Sequence, residues 1–518
     1  MHDILKDKKK LTVAIIIIII IFLIFFIINK IMVKKLDNQI VPKPVSCEEG
    51  EGKFILTKNT SIYVKGNTEE ETEEIYKIAE FLKGKLKPST GFDFNIIKSD
   101  KVLEGNIYLT TIGGEKDQGN EGYQISTTSK NVNLIAYKAE GIARGVQSLR
   151  QLFPAEIEKN YLVTNIEWTL PVSVIKDKPE YSYRGLMIDV ARHFISLEDI
   201  KRQIDLAAEY KINKLHLHLT DDQGWRLEIK KWPELTTIGG STQVGGGEGG
   251  YYTQEEFKGL VKYAAERYVE IIPEIEMPGH TNAALASYDF LNEDGKSKEV
   301  YTGIDVGFST FKCHDEKTYE FIDDVIKEVS DISPSKYIHI GGDEPKNALE
   351  DDYYYFVGRV NKIVEKYGKT AIGWDPCDKS SDISKDFVLQ NWSNKNIVAK
   401  DKGMKMIVSV AKKCYLDMKY DTSTPYGLIW AGYIPVDKAY KWDPTDYAPK
   451  DLIWGIEAPL WTETITNSKF MDYMIYPRLL GHAEIGWTTK EKRNWNEYKY
   501  RLKVQYERMK NKGINYYN

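Results

Sequence analysis

The stretch YRGLMIDVARHFISLEDIKRQIDLAAEYKINKLHLHLTDD, residues 183–222, decides the fold. An apolar run, Gly185 to Val190, is followed by Ser196 at a helix N-cap position, an amphipathic segment, and a second apolar run, Lys214 to Leu219. Short apolar runs separated by helical periods mark βαβ units, whose parallel strands are covered on both faces. The pattern recurs at Val269 to Ile275, Tyr337 to Gly341, Thr370 to Trp374, Phe387 to Trp392, Lys405 to Val410 and Leu452 to Ile456, and Thr253 with Glu256 gives a second N-cap signal. Eight strand-helix repeats over about 310 residues fit a (β/α)8 TIM barrel. An open doubly wound sheet would more often bring a nucleotide fingerprint, and none is present. The Gly-rich stretch 239–250 lacks a Lys-Ser/Thr ending and reads as a flexible loop in the second βα connection.

Upstream, residues 53–175 mix alternating runs (FILTKNTSIYV, NIYLTT, GYQISTT, NVNLIAY) with helical stretches around Glu69 to Leu86 and Gly141 to Phe153, the latter stopped by Pro154. This predicts a small α+β domain ahead of the barrel, which takes residues 176–518. Residues 36–52, with Pro42, Pro44 and Gly50, read as a tether. Residues 1–35 contain an unbroken apolar run of eighteen residues, Leu11 to Ile28, long enough as a helix to span roughly 27 Å. The sequence that follows, Asn29-Lys30-Ile31-Met32-Val33, lacks the small residues of a signal cleavage site, so an uncleaved transmembrane helix is expected, with secretion after cleavage as the alternative. The fold class expected is therefore α/β, a TIM barrel preceded by a small α+β domain and a transmembrane helix.

Composition excludes more than it selects. In 518 residues the net charge is -5, with Lys and Arg scattered, which leaves no basic footprint for nucleic acid. Thirty-four Tyr and eleven Trp suit a carbohydrate site and equally a large core. Cys47, Cys313, Cys377 and Cys414 lack metal-ligand spacing and read as buried thiols.

In such a barrel chemistry gathers at the carboxyl ends of the strands. There the sequence places Arg192 and His193; Asp221 and Asp222; Glu276 and His280; Asp343 and Glu344; Trp374 and Asp375; Trp392; Tyr415 and Asp417; Trp461 and Glu463. Asp343-Glu344, after two glycines in HIGGDE, is the best catalytic candidate: adjacent carboxylates repel, and one with a raised pKa can serve as a general acid. Surface acids at a helix N-terminus are the bland reading of the same pair. Asp221, Asp222, His280 and Asp343 could in principle gather around a cation, although no ligand motif such as HExxH is present. His216 and His218 share one face of the second strand and would fill or floor the barrel.

The motifs DVARHF (189–194), HLHLTDDQGWRLEI (216–229), PEIEMPGH (273–280), HIGGDE (339–344), YLDMKYD (415–421), GLIWAGY (427–433) and Trp461-Thr462-Glu463 resemble family-20 glycoside hydrolases, as do EGYQIS and GIARGVQSLRQLFP in the small domain. The resemblance implies a β-N-acetylhexosaminidase with no cofactor and no metal. Glu344 would be the general acid/base and Asp343 would support the substrate's acetamido group, whose carbonyl oxygen attacks C1 in a substrate-assisted route. Tyr415 would hydrogen-bond that oxygen. Trp374, Trp392 and Trp461 would wall the acetamido group and sugar face, Arg192, Asp417 and Glu463 would bind ring hydroxyls, and His280 with Asp221 would tune Glu344. Trp430 carries over as a binding residue that packing would also explain. Pro376 and Cys377 depart from the family pattern, with an expected effect at the pocket rim.

Rival readings are a catalytically silent surface lectin, a disaccharide-releasing hydrolase of the same family, and a two-carboxylate retaining glycosidase in which Glu276 or Asp221 supplies the nucleophile about 5 Å from the acid. A glycan carrying N-acetylhexosamine is met outside the cell, so the expected placement is a single-pass cell-membrane protein with its barrel extracellular.

Overall fold

The computed structural model describes residues 39–344, 347–395 and 397–518. Seven strands, β1 (Ser46–Ile55), β2 (Ile62–Lys65), β3 (Ile96–Lys98), β4 (Ile107–Thr110), β5 (Tyr123–Thr127), β6 (Val132–Ala136) and β7 (Thr169–Asp177), form one mixed sheet in the order β1-β7-β5-β6-β4-β2-β3. Helices Glu69–Thr90 and Ala139–Leu152 pack on each other and on this sheet. The first helix runs past Leu86 and through Pro88, and ends where the backbone N–H of Gly91 (φ 71°) reaches Lys87 O at 2.8 Å. The FILTKNTSIYV run splits into two strands, because Thr57 to Thr60 close a turn through the Thr60 N–H to Thr57 O bond of 3.1 Å.

The tether expected over 36–52 is not a free linker in its described part. Ile40 and Val41 are fully buried, the Val41 backbone exchanges two 2.9 Å hydrogen bonds with the Gln151 amide, and β1 already starts at Ser46. Two apolar residues suffice to dock the segment, and an edge strand needs only backbone pairing with β7, so its polar Glu48 to Gly52 remain exposed. The apolar run Leu11 to Ile28 lies outside the described residues; among those described, no helix is long and apolar enough to cross a membrane.

The barrel is closed. Strands β8 (Tyr183–Asp189), β9 (Lys214–His218), β12 (Glu270–Glu274), β13 (Tyr337–His339), β14 (Thr370–Trp374), β15 (Val388–Asn391), β16 (Met406–Val408) and β17 (Ile453–Leu460) pair in parallel and sequential order, and β17 returns to β8. The two-residue strands β10 (Thr220–Asp221) and β11 (Gly224–Trp225) form a hairpin at its rim. Strand β13 is shorter than the sequence predicts because Gly341 and Gly342 (φ 67° and 97°) turn the chain out of the ladder. Strand β17 is longer, since Ala458 to Leu460 stay paired with β8.

Side chains alternate between the lumen and the surrounding helices. Tyr183, Ile272, Ile372, Val388 and Ile407 make an apolar plug in the lumen. A polar layer belongs to the same inward set: His216, His218, Glu274, His339, Gln390 and Glu457, each exposed by 1% or less. The two histidines of HLHLT thus fill the barrel. Their neighbours Leu215 and Leu217 face outward into the main core.

Buried ion pairs join the two domains. Glu121 receives Arg144 Nε at 2.9 Å and Arg184 Nη1 at 3.1 Å, and Asp177 receives Lys211 Nζ at 3.2 Å and the Trp487 indole N–H at 2.8 Å. Of the four cysteines, all free, Cys313, Cys377 and Cys414 are buried, whereas Cys47 on the edge strand is only partly so.

His482, on the buried helix Arg478–Trp487, has no hydrogen-bond partner at either ring nitrogen, and burial, helped by the charge of Arg478, pushes its pKa down to about 3. A folded-state pKa below the ordinary value gives stability that is present above pH 6.5 and lost as pH falls toward 3. The prediction is that His482→Gln flattens the decline of Tm between about pH 6.5 and 4 relative to wild type. Parallel melting curves for the two proteins would refute it.

Candidate active site

The strand ends build the site in layers. After β8, Asp189 accepts the backbone N–H groups of Ala191 (2.8 Å), Arg192 (3.1 Å) and Thr462 (3.1 Å), which fixes the turn carrying Arg192 to the end of β17. The Arg192 guanidinium is 3% exposed as a residue, lies 2.7 Å from Asp221 Oδ2, and stacks 4.9 Å from the Trp461 ring. Asp221 also meets His218 Nε2 at 2.7 Å and His280 Nδ1 at 3.3 Å. Burial would raise the Asp221 carboxyl, but Arg192 and His280 outweigh it and hold the pKa far below the ordinary carboxylate range. Burial likewise opposes the His280 imidazolium, and the charge of Asp221 overrides it, holding that pKa well above the usual value.

His280 Nε2 then lies 3.8 Å from Asp343 Oδ2 and 3.7 Å from Glu344 Oε2, so the imidazolium faces both acids. The backbone at these positions is strained: His280 (φ 54°) and Glu344 (φ 44°) are two of the six non-glycine residues with positive φ among those described. The Gly341-Gly342 turn fits under Glu276, whose Oε1 accepts the Gly342 N–H at 2.8 Å; a Cβ on Gly341 would lie 2.0 Å from that oxygen. Burial, then the charges of Asp343 and Glu274, push the Glu276 carboxyl well above its usual range. Burial also raises Asp343, against the pull of His280, and Asp343 Oδ1 has no protein hydrogen-bond partner. The acid pair opens to solvent unequally, with side-chain exposure of 14% for Asp343 and 28% for Glu344.

Opposite the acids stands a run of aromatic rings. Trp374 and Trp461 are 5.9 Å apart, Tyr415 is 6.2 Å from Trp461 and 5.7 Å from Trp430, and Trp430 meets Trp392 edge-on at 6.2 Å. Trp374 is held by its indole N–H to Glu274 Oε1 (2.8 Å), and Trp392 by its indole N–H to Asp375 O (2.8 Å). Trp430 is 56% exposed, so it stands at the rim and does not serve as core packing. Asp417, with both carboxylate oxygens lacking a protein hydrogen-bond partner, and Glu463, with one, complete the ring. Burial raises both, Asp417 further through the charge of Glu463.

The structure thus brings together Arg192, Asp221, His280, Asp343, Glu344, Trp374, Trp392, Tyr415, Asp417, Trp461 and Glu463, expected from strand ends, with Trp430, expected from the motif resemblance alone. Two expectations change. Cys377 is not at the rim: it is fully buried beneath the glycine turn, 3.7 Å from Gly341 O and 3.3 Å from the Tyr353 hydroxyl. The Gly-rich 239–250 segment is clamped by Arg226, which donates to the carbonyls of Gly240 (3.1 Å), Thr242 (2.8 Å) and Gly250 (3.2 Å) while also gripping Val190 and Ala191. Asp189 and Glu274 do not stand out in the sequence; their inward parity becomes a signal only once the ends of β8 and β12 are fixed. Histidine and carboxylate atoms approach within 4.8 Å at His216/Glu274/His339, His218/Glu274/Glu276 and Asp221/Asp222/His280. In the first two sets Glu274 is already occupied by His218 Nδ1 and the Trp374 indole N–H, and in the third Asp221 is occupied by Arg192 and His218.

The site can therefore donate a proton from an acid pair beside a tight aromatic wall, with polar groups left to receive hydroxyls or an amide. The model of glycosyl hydrolase family 20, catalytic domain, matches residues 181–352 and 346–490, and that of glycosyl hydrolase family 20, domain 2, matches 37–178. The chain belongs to glycosyl hydrolase family 20. It is 35% identical over 480 residues to a β-N-acetylhexosaminidase of Cellulomonas fimi, covering 90% of this chain and 93% of that protein. The solved family-20 β-N-acetylhexosaminidase of Streptomyces coelicolor A3(2) superposes with a TM-score of 0.89 at 42% identity, covering 93% and 98% of the two chains. A mutant Streptomyces plicatus β-hexosaminidase in complex with its product GlcNAc gives 0.88 at 42% identity, covering 93% and 97%. The chain is accordingly a glycoside hydrolase.

Gly341→Ala must displace the Glu276 carboxylate and force a left-handed alanine. It is expected to cost more than about 2 kcal/mol in denaturant unfolding and to lower hydrolytic turnover with it. Wild-type stability and turnover would show that the turn has slack.

Proposed function

We propose that the chain is a β-N-acetylhexosaminidase that removes terminal non-reducing β-linked GlcNAc or GalNAc from glycans with retention, using the substrate's acetamido oxygen as nucleophile. The observation that carries this reading is the aromatic wall of Trp374, Trp461, Tyr415 and Trp392 facing two adjacent acids, one of which, Asp343, keeps an oxygen without a protein partner. An acetamido group fits both demands: its methyl is apolar and its N–H seeks an acceptor.

In the first step Glu344 gives its proton to the glycosidic oxygen as the C1–O bond breaks and the bonding pair leaves with the aglycone. The acetamido carbonyl oxygen bonds to C1, giving an oxazolinium whose N–H is received by Asp343. In the second step water attacks C1, Glu344 takes its proton, and the ring opens to the free sugar. Two inversions at C1 give retention. Tyr415 donates to the acetamido oxygen, Arg192 donates to ring hydroxyl oxygens, and Asp417 and Glu463 accept from ring hydroxyls.

A two-carboxylate mechanism fits less well. Asp221 is neutralised by Arg192, His218 and His280, and Glu276 is held toward its neutral form and spends one oxygen on Gly342, so neither offers a free anion to C1. The proposal also places the barrel outside the cell on an uncleaved anchor. It is supported by the apolar run Leu11 to Ile28 between basic flanks and by the external location of such glycans.

The test is turnover of nitrophenyl β-GlcNAc and nitrophenyl β-glucoside by the full chain in detergent, beside Glu344→Gln. Hydrolysis of the N-acetyl substrate alone, reduced at least about 100-fold in the variant, is expected. Comparable hydrolysis of the glucoside would remove the substrate-assisted route, and silence on both would leave a glycan-binding protein.

A further inference from the structure

The lumen beneath the acids holds one fully buried carboxylate, Glu274, that four side chains from three other strands surround. Glu274 accepts from His218 Nδ1 at 2.5 Å and from the Trp374 indole N–H at 2.8 Å, and the imidazoles of His216 (Nε2, 3.0 Å) and His339 (Nδ1, 2.9 Å, which accepts the Gly341 N–H) lie at ion-pair distance, so that groups from β9, β13 and β14 all gather on β12. Two branches leave it toward the site. Through His218 the first reaches Asp221 (2.7 Å), His280 (3.3 Å) and then Glu344 Oε2 (3.7 Å). The second is Trp374 itself, whose ring stands 5.9 Å from Trp461 in the aromatic wall.

We propose that Glu274 is a positioning residue for the hydrolytic reaction, one buried carboxylate that fixes both the His218-Asp221-His280 chain behind the acid and the Trp374 wall of the sugar pocket. This rests on the reading of Glu344 as the acid. A lumen filled merely for packing would not require that choice of groups, because an apolar side chain at Glu274 and at each histidine would close the barrel with no charge to compensate.

The electrostatics follow the geometry. His218 and Glu274 are faced by His216 and Asp221 from β9 and its hairpin, Glu276 and His280 from the end of β12, His339 and Asp343 from β13 and its turn, Glu457 from β17, and Arg192 beyond β8. Burial opposes the His218 charge, yet Glu274 and Asp221 together raise its pKa to about 10; burial also opposes the Glu274 charge, and the surrounding imidazoles outweigh it and hold Glu274 well below its usual range, although burial pushes the His339 pKa down. Without the Glu274 charge, burial dominates at His218, which then loses its proton at lower pH; Asp221 loses a cation and His280 the fixed acceptor that orients it.

The experiment is a double-variant cycle on the full chain with Glu274→Gln, His218→Gln and the pair, read as kcat, KM and the pH profile of kcat/KM on nitrophenyl β-GlcNAc. Glutamine at 274 keeps the volume and an acceptor for the Trp374 indole while removing the charge. The expected result is a fall in kcat of about tenfold or more at pH 7 with KM little changed, an alkaline limb moved to lower pH, and a double variant no worse than either single. An unmoved pH profile, or losses that multiply in the double variant, would overturn the proposal and leave Glu274 a structural floor. If Glu274→Gln does not melt cooperatively, the His218→Gln profile alone decides by the same criterion. Wild-type activity on the N-acetyl substrate, abolished by Glu344→Gln, separates this outcome from failure of the underlying reading, which an inactive wild type would bring down together with the inference.

Discussion

Two carboxylates, Glu274 and Glu457, lie inside a closed barrel with no exposed surface, and the rest of the architecture is arranged around neutralising them. An unpaired buried charge costs several kcal/mol, and breaking a buried pair by removing one partner typically costs about 3–5 kcal/mol. His216 bridges the two, at 3.0 and 2.9 Å, and with His218 it carries the compensating charge, their pKa values raised to about 9 and about 10. Gln390 adds a donor to Glu457 at 2.6 Å. Because these groups come from β9, β12, β13, β15 and β17, a one-residue slip in any of those strands would move a compensating group out of the lumen. The polar layer thus fixes strand register as well as charge, which an apolar plug such as Ile272, Ile372, Val388 and Ile407 does only by shape.

A rigid floor permits a strained rim. His280 and Glu344 hold left-handed backbone at a cost on the order of 1–3 kcal/mol each, and such conformers persist only where the surroundings over-determine them. Here Asp221 anchors the His280 ring, and Glu276 and Cys377 pack either side of the glycine turn that leads to Glu344. Arg226 performs the same service for the second βα connection, converting a glycine-rich segment into an ordered wall. The second domain adds to this stiffness from below: Arg184, at the start of β8, is bound to Glu121 and stacks on Trp487, and Lys211 before β9 is bound to Asp177.

What could be read from sequence follows from locality. Strand-helix alternation and the strand-end positions of Asp343, Glu344, Trp374 and Trp461 are periodic features of short windows, and they emerge without knowing which strands meet. Glu274 sits in the same PEIEMPGH motif as His280, yet its role was not legible, because its partners His218 and Trp374 are 56 and 100 residues away and an alternating Glu is equally compatible with solvent. The docked tether was missed for the opposite reason: Pro42, Pro44 and Gly50 are linker signals, and only the Gln151 amide, 110 residues on, turns Val41 into a buried contact. Cys377 reads as a rim residue beside Pro376 in the sequence, whereas the 3-10 turn Cys377–Lys379 seats its thiol under Gly341 O at 3.7 Å.

The division between floor and rim also separates chemistry from selectivity. Several groups around the acids are buried and held by a second residue: Trp374 by Glu274, Asp221 by Arg192 and His218, Arg192 by Asp189. The exposed groups at the rim are held less. Trp430 is 56% exposed, with Ile429 and Tyr433 beside it at 55% and 39%, and its ring contacts are two edge-on neighbours, Trp392 and Tyr415. An exposed ring of this kind is free to change without altering the rings beneath it, because Trp374 and Trp392 are anchored by their own indole hydrogen bonds. Residues 427–433 can therefore vary while the lumen and its charge balance stay as they are.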